Sequence, residues 1–222
     1  MKKYLILFLL FFSCNINQEN FELTGKINGV ENDIIYLIQS NNNDDEIILD
    51  STKVNSSSFS LKSYIEEPQI LTIRLGKSNI NEIEFFAETG KMTLNTSKKR
   101  FQFDAQFSGS KQQSNLDKFN SFLIKLEEED IDLLELQIQE SIKGNQKRID
   151  SISILRERNN KRKLLFIINY ISSNNKETVS PYLALKYKEE IQLDYLTKIY
   201  NSYNREISES KYGIELKKII SK

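Results

Sequence analysis

The chain of 222 residues has no histidine and no tryptophan, and Cys14 is its one cysteine. Without an imidazole no Ser-His-Asp relay can be assembled. With Cys14 as the single thiol there is neither an intrachain disulfide nor a Cys-x-x-Cys redox pair. Glycine and proline are scarce, at 7 and 2 residues, so turns and helix ends rely on Asn, Asp and Ser, whose side chains bond the local backbone. Charge of one sign is also missing. The 31 basic residues stand against 31 acidic ones, so no strong field draws the chain to nucleic acid or anionic lipid. The apolar run Tyr4 to Phe12 (YLILFLLFF) would make a helix only about 13 Å long, too short for a hydrocarbon core of roughly 30 Å.

That run follows Met1-Lys2-Lys3 and precedes Ser13-Cys14. Positive charge, apolar stretch, small residue and cysteine, in that order, predict an export signal cut between Ser13 and Cys14. Cys14 would then carry acyl chains on its sulfur and amine, and two or three chains suffice for stable anchoring in a bilayer. The competing reading is an ordinary signal peptide cut elsewhere, because Phe11 and Phe12 depart from the usual leucine-then-small pattern. Loss of Lys2 and Lys3 leaves 29 basic residues against 31 acidic ones, a mature net charge of −2. Asn15, standing where an aspartate would favour inner-membrane retention, points to the outer membrane and its periplasmic face.

After a polar tether, Asn15 to Asn20, the pattern has period two as far as about Phe107. Strands are expected at Phe21 to Ile27, Ile34 to Ile38, Ile47 to Leu49, Phe59 to Leu61, Ile70 to Leu75, Glu82 to Ala87, Lys91 to Thr96 and Phe101 to Phe107. Short strands at about ten-residue spacing predict an antiparallel sandwich or open barrel. At Ser108-Gly109-Ser110 the period changes. Leu116, Phe119, Leu123 and Leu126 recur at three and four residues, with Ser114 and Asp117 as the expected cap. Gly144-Asn145 should break this helix near Lys143. A second helix is expected from about Gln146 to Ile171, burying Ile149, Ile152, Leu155 and Leu164 to Ile168. Ser180-Pro181 should start a third, and two more short helices should be split near Ser208 to Gly213.

The charges around Gly144 predict how the first two helices meet. Glu127 to Asp130 and Asp132 precede it by about as much as Arg156, Arg158, Lys161, Arg162 and Lys163 follow it. An antiparallel hairpin with its tip at Gly144-Asn145 lays the two runs side by side. Each exposed pair is worth only a few tenths of a kcal/mol, roughly, but together they set the register.

Several segments resemble a β domain of Gram-negative envelope lipoproteins. They are Phe21-Glu22-Leu23-Thr24-Gly25-Lys26-Ile27, Leu49-Asp50-Ser51-Thr52-Lys53-Val54, Phe59-Ser60-Leu61, Glu66-Glu67-Pro68 and Phe85 to Leu94 (FFAETGKMTL). This is the domain of unknown function that usually precedes a TlpA/AhpC-type thioredoxin-like domain. Phe107 to Ser110, Phe166 to Ser180-Pro181 and Ser210 to Gly213 resemble the helical linker of that family. In the longer relatives a thioredoxin domain with a Cys-x-x-Cys pair follows the helices. Here Lys222 falls about where it would begin, so the resemblance implies no catalytic residue for this chain.

Other constellations read as structure. Asn41 to Asp45 with Glu46 is acidic enough for a calcium loop, but counted from Asn41 it has Glu46 and Thr52 where an EF-hand needs glycine and glutamate. A hydrated turn is expected, and no metal. Asp50, beside Ser51, should satisfy turn amides. The carboxylates at 127–132 imitate a glycosidase pair but belong to a polar helix face. The basic run at 156–163 imitates a nucleic-acid patch, which export and near-zero net charge argue against. Tyr182, Tyr187, Tyr195, Tyr200 and Tyr203 should pack between helices, with a peptide or glycan contact surface as the alternative.

The sequence therefore predicts an α+β chain with a signal at 1–13, a lipidated tether at 14–20, a β-sandwich at 21–107 and a helical region with an antiparallel hairpin at 108–222. The expected role is a non-catalytic interaction or scaffold module, with no cofactor. Its expected partners are the bilayer through Cys14 and an envelope protein, such as a separately encoded thioredoxin-like one. The alternative is binding of a small ligand or glycan.

Overall fold

The computed structural model describes residues 18–40 and 45–221. Ser13, Cys14 and residues 41–44 of the turn expected at Asn41 to Asp45 lie outside them. Among the described residues the strands are β1 (Phe21–Asn28), β2 (Ile34–Ser40), β3 (Glu46–Lys53), β4 (Ser58–Ser63), β5 (Gln69–Leu75), β6 (Glu82–Ala87), β7 (Gly90–Ser97) and β8 (Gln106–Ser108). They form two four-stranded sheets, ordered β4-β1-β7-β8 and β3-β2-β5-β6. Alternate residues of both, among them Phe21, Leu23, Leu61, Leu71, Ile73, Phe85 and Leu94, fill the space between them. The sandwich is not wholly antiparallel, because β1 pairs with β7 in parallel from Phe21↔Gly90 to Asn28↔Ser97. β7 arrives by crossing from the opposite sheet, so no hairpin forces the antiparallel sense on it. Gly25 sits in β1 where a Cβ would lie 2.1 Å from the Leu94 carbonyl and 2.8 Å from the Phe59 ring.

The expected strand at Phe101 to Phe107 shrinks to Gln106–Ser108. Ahead of it the backbone turns, Thr96 Oγ1 donating to the Phe101 carbonyl at 2.7 Å and Ser97 Oγ to Asp104 Oδ2 at 2.7 Å. These side-chain bonds outcompete a ladder. They leave Phe101 in the core and Phe103 in solvent.

Helices α1 (Lys111–Ile142), α2 (Gln146–Ser173), α3 (Val179–Lys186), α4 (Leu193–Asn201), α5 (Arg205–Glu209) and α6 (Lys211–Ile220) follow. None is long and apolar enough to cross a membrane. The cap of α1 is Ser110, not Ser114 or Asp117. Ser110 is extended and accepts from the Gln113 amide at 2.9 Å, and Ser114 is already inside the helix. Ser180 is not a cap either. The chain begins turning before it, so its amide bonds Glu177, while its buried hydroxyl donates to the Ile171 carbonyl at 2.9 Å. The tail forms three short helices where two were expected, with Ser210 ending α5 and capping α6. On α2, Ile152, Ile167 and Ile171 are buried, but Leu155 is exposed and Ile149 only half-buried.

Candidate functional site

Phe85 and Phe86 are consecutive and both are wholly buried. A strand turns successive side chains to opposite faces, so one of them must leave the sandwich. Phe85 enters its core, while Phe86 enters a second core made with Phe119, Ile167, Ile171, Leu183 and Leu216 of the helices. Tyr182 and Tyr212 meet the Phe86 ring edge-on, at centroid distances of 5.6 and 6.1 Å. The sheet β3-β2-β5-β6 is therefore covered on both sides at its β5–β6 end.

Reciprocal hydrogen bonds close this seam. Glu88, just past β6, accepts from the Gln112 amide at 2.8 Å and from the Ser110 hydroxyl, putting a carboxylate at the positive end of α1. Glu67, just before β5, takes the Lys211 amide at 2.9 and 3.0 Å in the same way at α6. In return the helices satisfy orphan strand amides. Gln113 Oε1 accepts from Phe86 N–H at 2.6 Å, and the Tyr212 hydroxyl accepts from Ile70 N–H at 2.8 Å. Buried Gln112 bonds the Val179 amide and Glu177. Buried polar groups cost stability unless paired, so this network demands one relative placement of sheet and helices.

The helix hairpin forms as expected. Gly144 takes φ +69° at its tip. The Arg156 guanidinium grips both oxygens of Asp130 at 3.0 Å and donates to Gln137 Oε1 at 3.0 Å. Arg162 meets Glu129 at 2.9 Å, and Asn159 Nδ2 donates to the Leu126 carbonyl at 2.7 Å. Lys161 instead pairs with Glu157 on its own helix. The hydrogen bonds from Arg156 hold the Asp130 carboxyl below its usual range. No α1 residue after Leu126 is buried, so the last 16 residues of the helix, about 24 Å, project from the fold.

The remaining sequence candidates fall apart in space. Asp50 lies inside β3, not in a turn, and accepts from the amides of Ser51 in β3 and Lys62 in β4, both at 2.7 Å, so it bridges two strands instead of capping a turn. Glu46 pairs with Arg74. Glu129 and Asp130 are held by arginines and their neighbours face solvent, so the carboxylates at 127–132 flank no cleft. Among the tyrosines, Tyr182, Tyr187 and Tyr203 pack between helices and Tyr195 is exposed. Burial pushes the hydroxyls of Tyr182, Tyr203 and Tyr212 well above the ordinary tyrosine range and that of Tyr187 up to about 12. Among the described residues no group of three or more acidic or cysteine side chains could hold a metal. Beside the seam lies an open polar cleft of about 490 Å³, lined by Gln39, Tyr64, Glu66, Glu67, Gln69 and Lys211, with one aromatic side chain. Gln112, Gln113, Glu88 and Tyr212 escaped sequence reasoning. The Phe85-Phe86 pair was the one local sign that this sheet edge is covered.

Fold and site together define a β-sandwich locked to a helical layer from which a hairpin projects. Residues 21–116 match the family described as domain of unknown function DUF4369. The match runs past β8 into α1 as far as Leu116, and so includes the turn that Glu88 caps. No curated protein and no solved structure matches the chain.

Proposed function

We propose that the chain is an envelope lipoprotein, held through acylated Cys14 at the periplasmic face of the outer membrane, that acts as a non-catalytic interaction module. A separately encoded thioredoxin-like protein is the partner class that the family resemblance suggests. One observation carries the interaction reading: the seam supports a hairpin in which α1, past Leu126, buries none of its described residues and carries exposed Ile131, Ile138 and Ile142. A favourable burial of roughly 25 cal/mol per Å² is available to a protein that covers such surface.

In-cell crosslinking of a C-terminally tagged chain, followed by identification of the captured proteins, tests this. A thioredoxin-fold protein, lost when residues 108–222 are deleted, is the expected capture. A blank at good labelling would move binding of a small polar ligand in the cleft beside Lys211 to the front. Cys14→Ser should release the protein from the membrane fraction; retention would refute the lipid anchor.

A further inference from the structure

The projecting half of α1 is not uniform around its circumference. At about 100° per residue, Ile124, Ile131, Ile138 and Ile142 fall within roughly 40° of one another, and all four are at least half exposed, at 50, 55, 53 and 83 %. Leu134 lies beside them. The side that meets Arg156, carrying Asp130 and Gln137, is about 110° further round, so α2 does not cover the stripe. Glu127, Glu128 and Glu135 border it within about 60° of its centre. Among the described residues none of the three is in a salt bridge, and Arg156 and Arg162 of α2 pair with Asp130 and Glu129 instead. No lysine or arginine of α1 falls in that sector; Lys118 and Lys125 lie about 120° or more away.

We infer that this stripe is a docking surface for a basic amphipathic helix of another protein, one with apolar residues every three to four positions and Lys or Arg on both flanks. The inference rests on the interaction-module reading and specifies its partner. The isoleucine spacing of seven, from Ile124 to Ile131 to Ile138, matches the seam of a two-helix coiled coil, where charge at the flanking positions selects the partner. An acidic rim selects a basic one. The same rim repels an anionic lipid surface and a second α1, which would bring Glu127, Glu128 and Glu135 against their own copies. The outer face of α2, with Ile154, Arg158 and Leu165, has the matching chemistry, but it points away from the stripe. A second copy could therefore engage only head to tail, as a ring or an open chain, and not as a symmetric pair.

The test uses the full chain purified in detergent micelles, with micelles alone as the blank. One dye-labelled peptide of about three heptads carries leucine at the seam and lysine on its flanks; a second carries glutamate for lysine. Fluorescence anisotropy should show saturable binding of the basic peptide only, weakened at about 1 M salt, where the Debye length is about 3 Å. I131D with I138D should weaken it about tenfold or more. E128K with E135K should shift preference toward the acidic peptide. These positions are exposed, so circular dichroism should be unchanged, and the charge-swap pair gives an answer if the isoleucine pair fails to fold. Equal binding of the two peptides, or binding indifferent to both double variants, overturns the inference. So does self-association abolished by I131D with I138D, which would make the stripe a contact between copies. If the peptides fail while in-cell crosslinks from the hairpin persist, the interaction module stands and this surface assignment falls.

Discussion

Replacing Tyr212 by phenylalanine removes one oxygen from the seam and leaves the ring in place. The ring would still meet Phe86 and Tyr182, at centroid distances of 6.1 and 5.4 Å. What disappears is the acceptor for the Ile70 amide, now at 2.8 Å. The ladder between β2 and β5 reaches only to Thr72, so strand pairing on that side cannot take the amide over. Leaving a buried donor unsatisfied costs about 1–3 kcal/mol; Ile70 is only partly buried, which places the expectation near 1–2 kcal/mol. At roughly 2–4 °C per kcal/mol for a chain of this size, the melting temperature should fall by several degrees. Urea titration of the full chain, read together with hydrogen exchange at the Ile70 amide, is the assay. Burial holds the Tyr212 hydroxyl above its ordinary value. Its contribution is therefore whole below the unfolded value of about 10 and lost as pH rises from there toward the folded one, so the variant should lose less stability than the parent in alkali. Unchanged unfolding with unchanged Ile70 exchange would show that the seam does not depend on this bond.

Other substitutions probe the sandwich and the hairpin. Gly25→Ala forces a methyl group against the Leu94 carbonyl and the Phe59 ring and should cost about 3 kcal/mol, near the upper end for overpacking; a urea midpoint unchanged from the parent would mean that β1 shifts freely. Asn159 is 2 % exposed and its Oδ1 has no hydrogen-bond partner among the described residues. Asn159→Leu should thus be neutral or stabilising by up to about 1 kcal/mol, and a loss of more than that would assign the amide a larger part in setting the register. Because Arg156 holds the Asp130 carboxyl down, its stabilisation is present above the unfolded value of about 3.9 and disappears as pH falls through the folded one. Asp130→Asn should flatten that acid limb while costing about 1 kcal/mol or less at neutral pH; an acid limb of unchanged slope would exclude this pair as its source.

Interactions that recur at short spacing were legible from the residues alone. Period two exposed the strands because alternate side chains such as Phe59 and Leu61 face one core. The Gly144-Asn145 break with opposite charges on either side announced the hairpin, since two antiparallel helices bring together residues equidistant from the tip. The export signal is a reading of the sequence alone, because residues 1–17 lie outside the described part. Tertiary structure decided the rest. Whether β7 runs parallel to β1 depends on the route by which the chain crosses between sheets. Ser110 caps α1 because it alone is extended there and within reach of Glu88, 22 residues away. The partners that Gln113, Glu67 and Tyr212 find across the seam lie 27 to 144 residues distant. Periodicity tells which face of an element is buried but not what buries it, and such polar side chains have no pattern of their own until two separately formed layers meet.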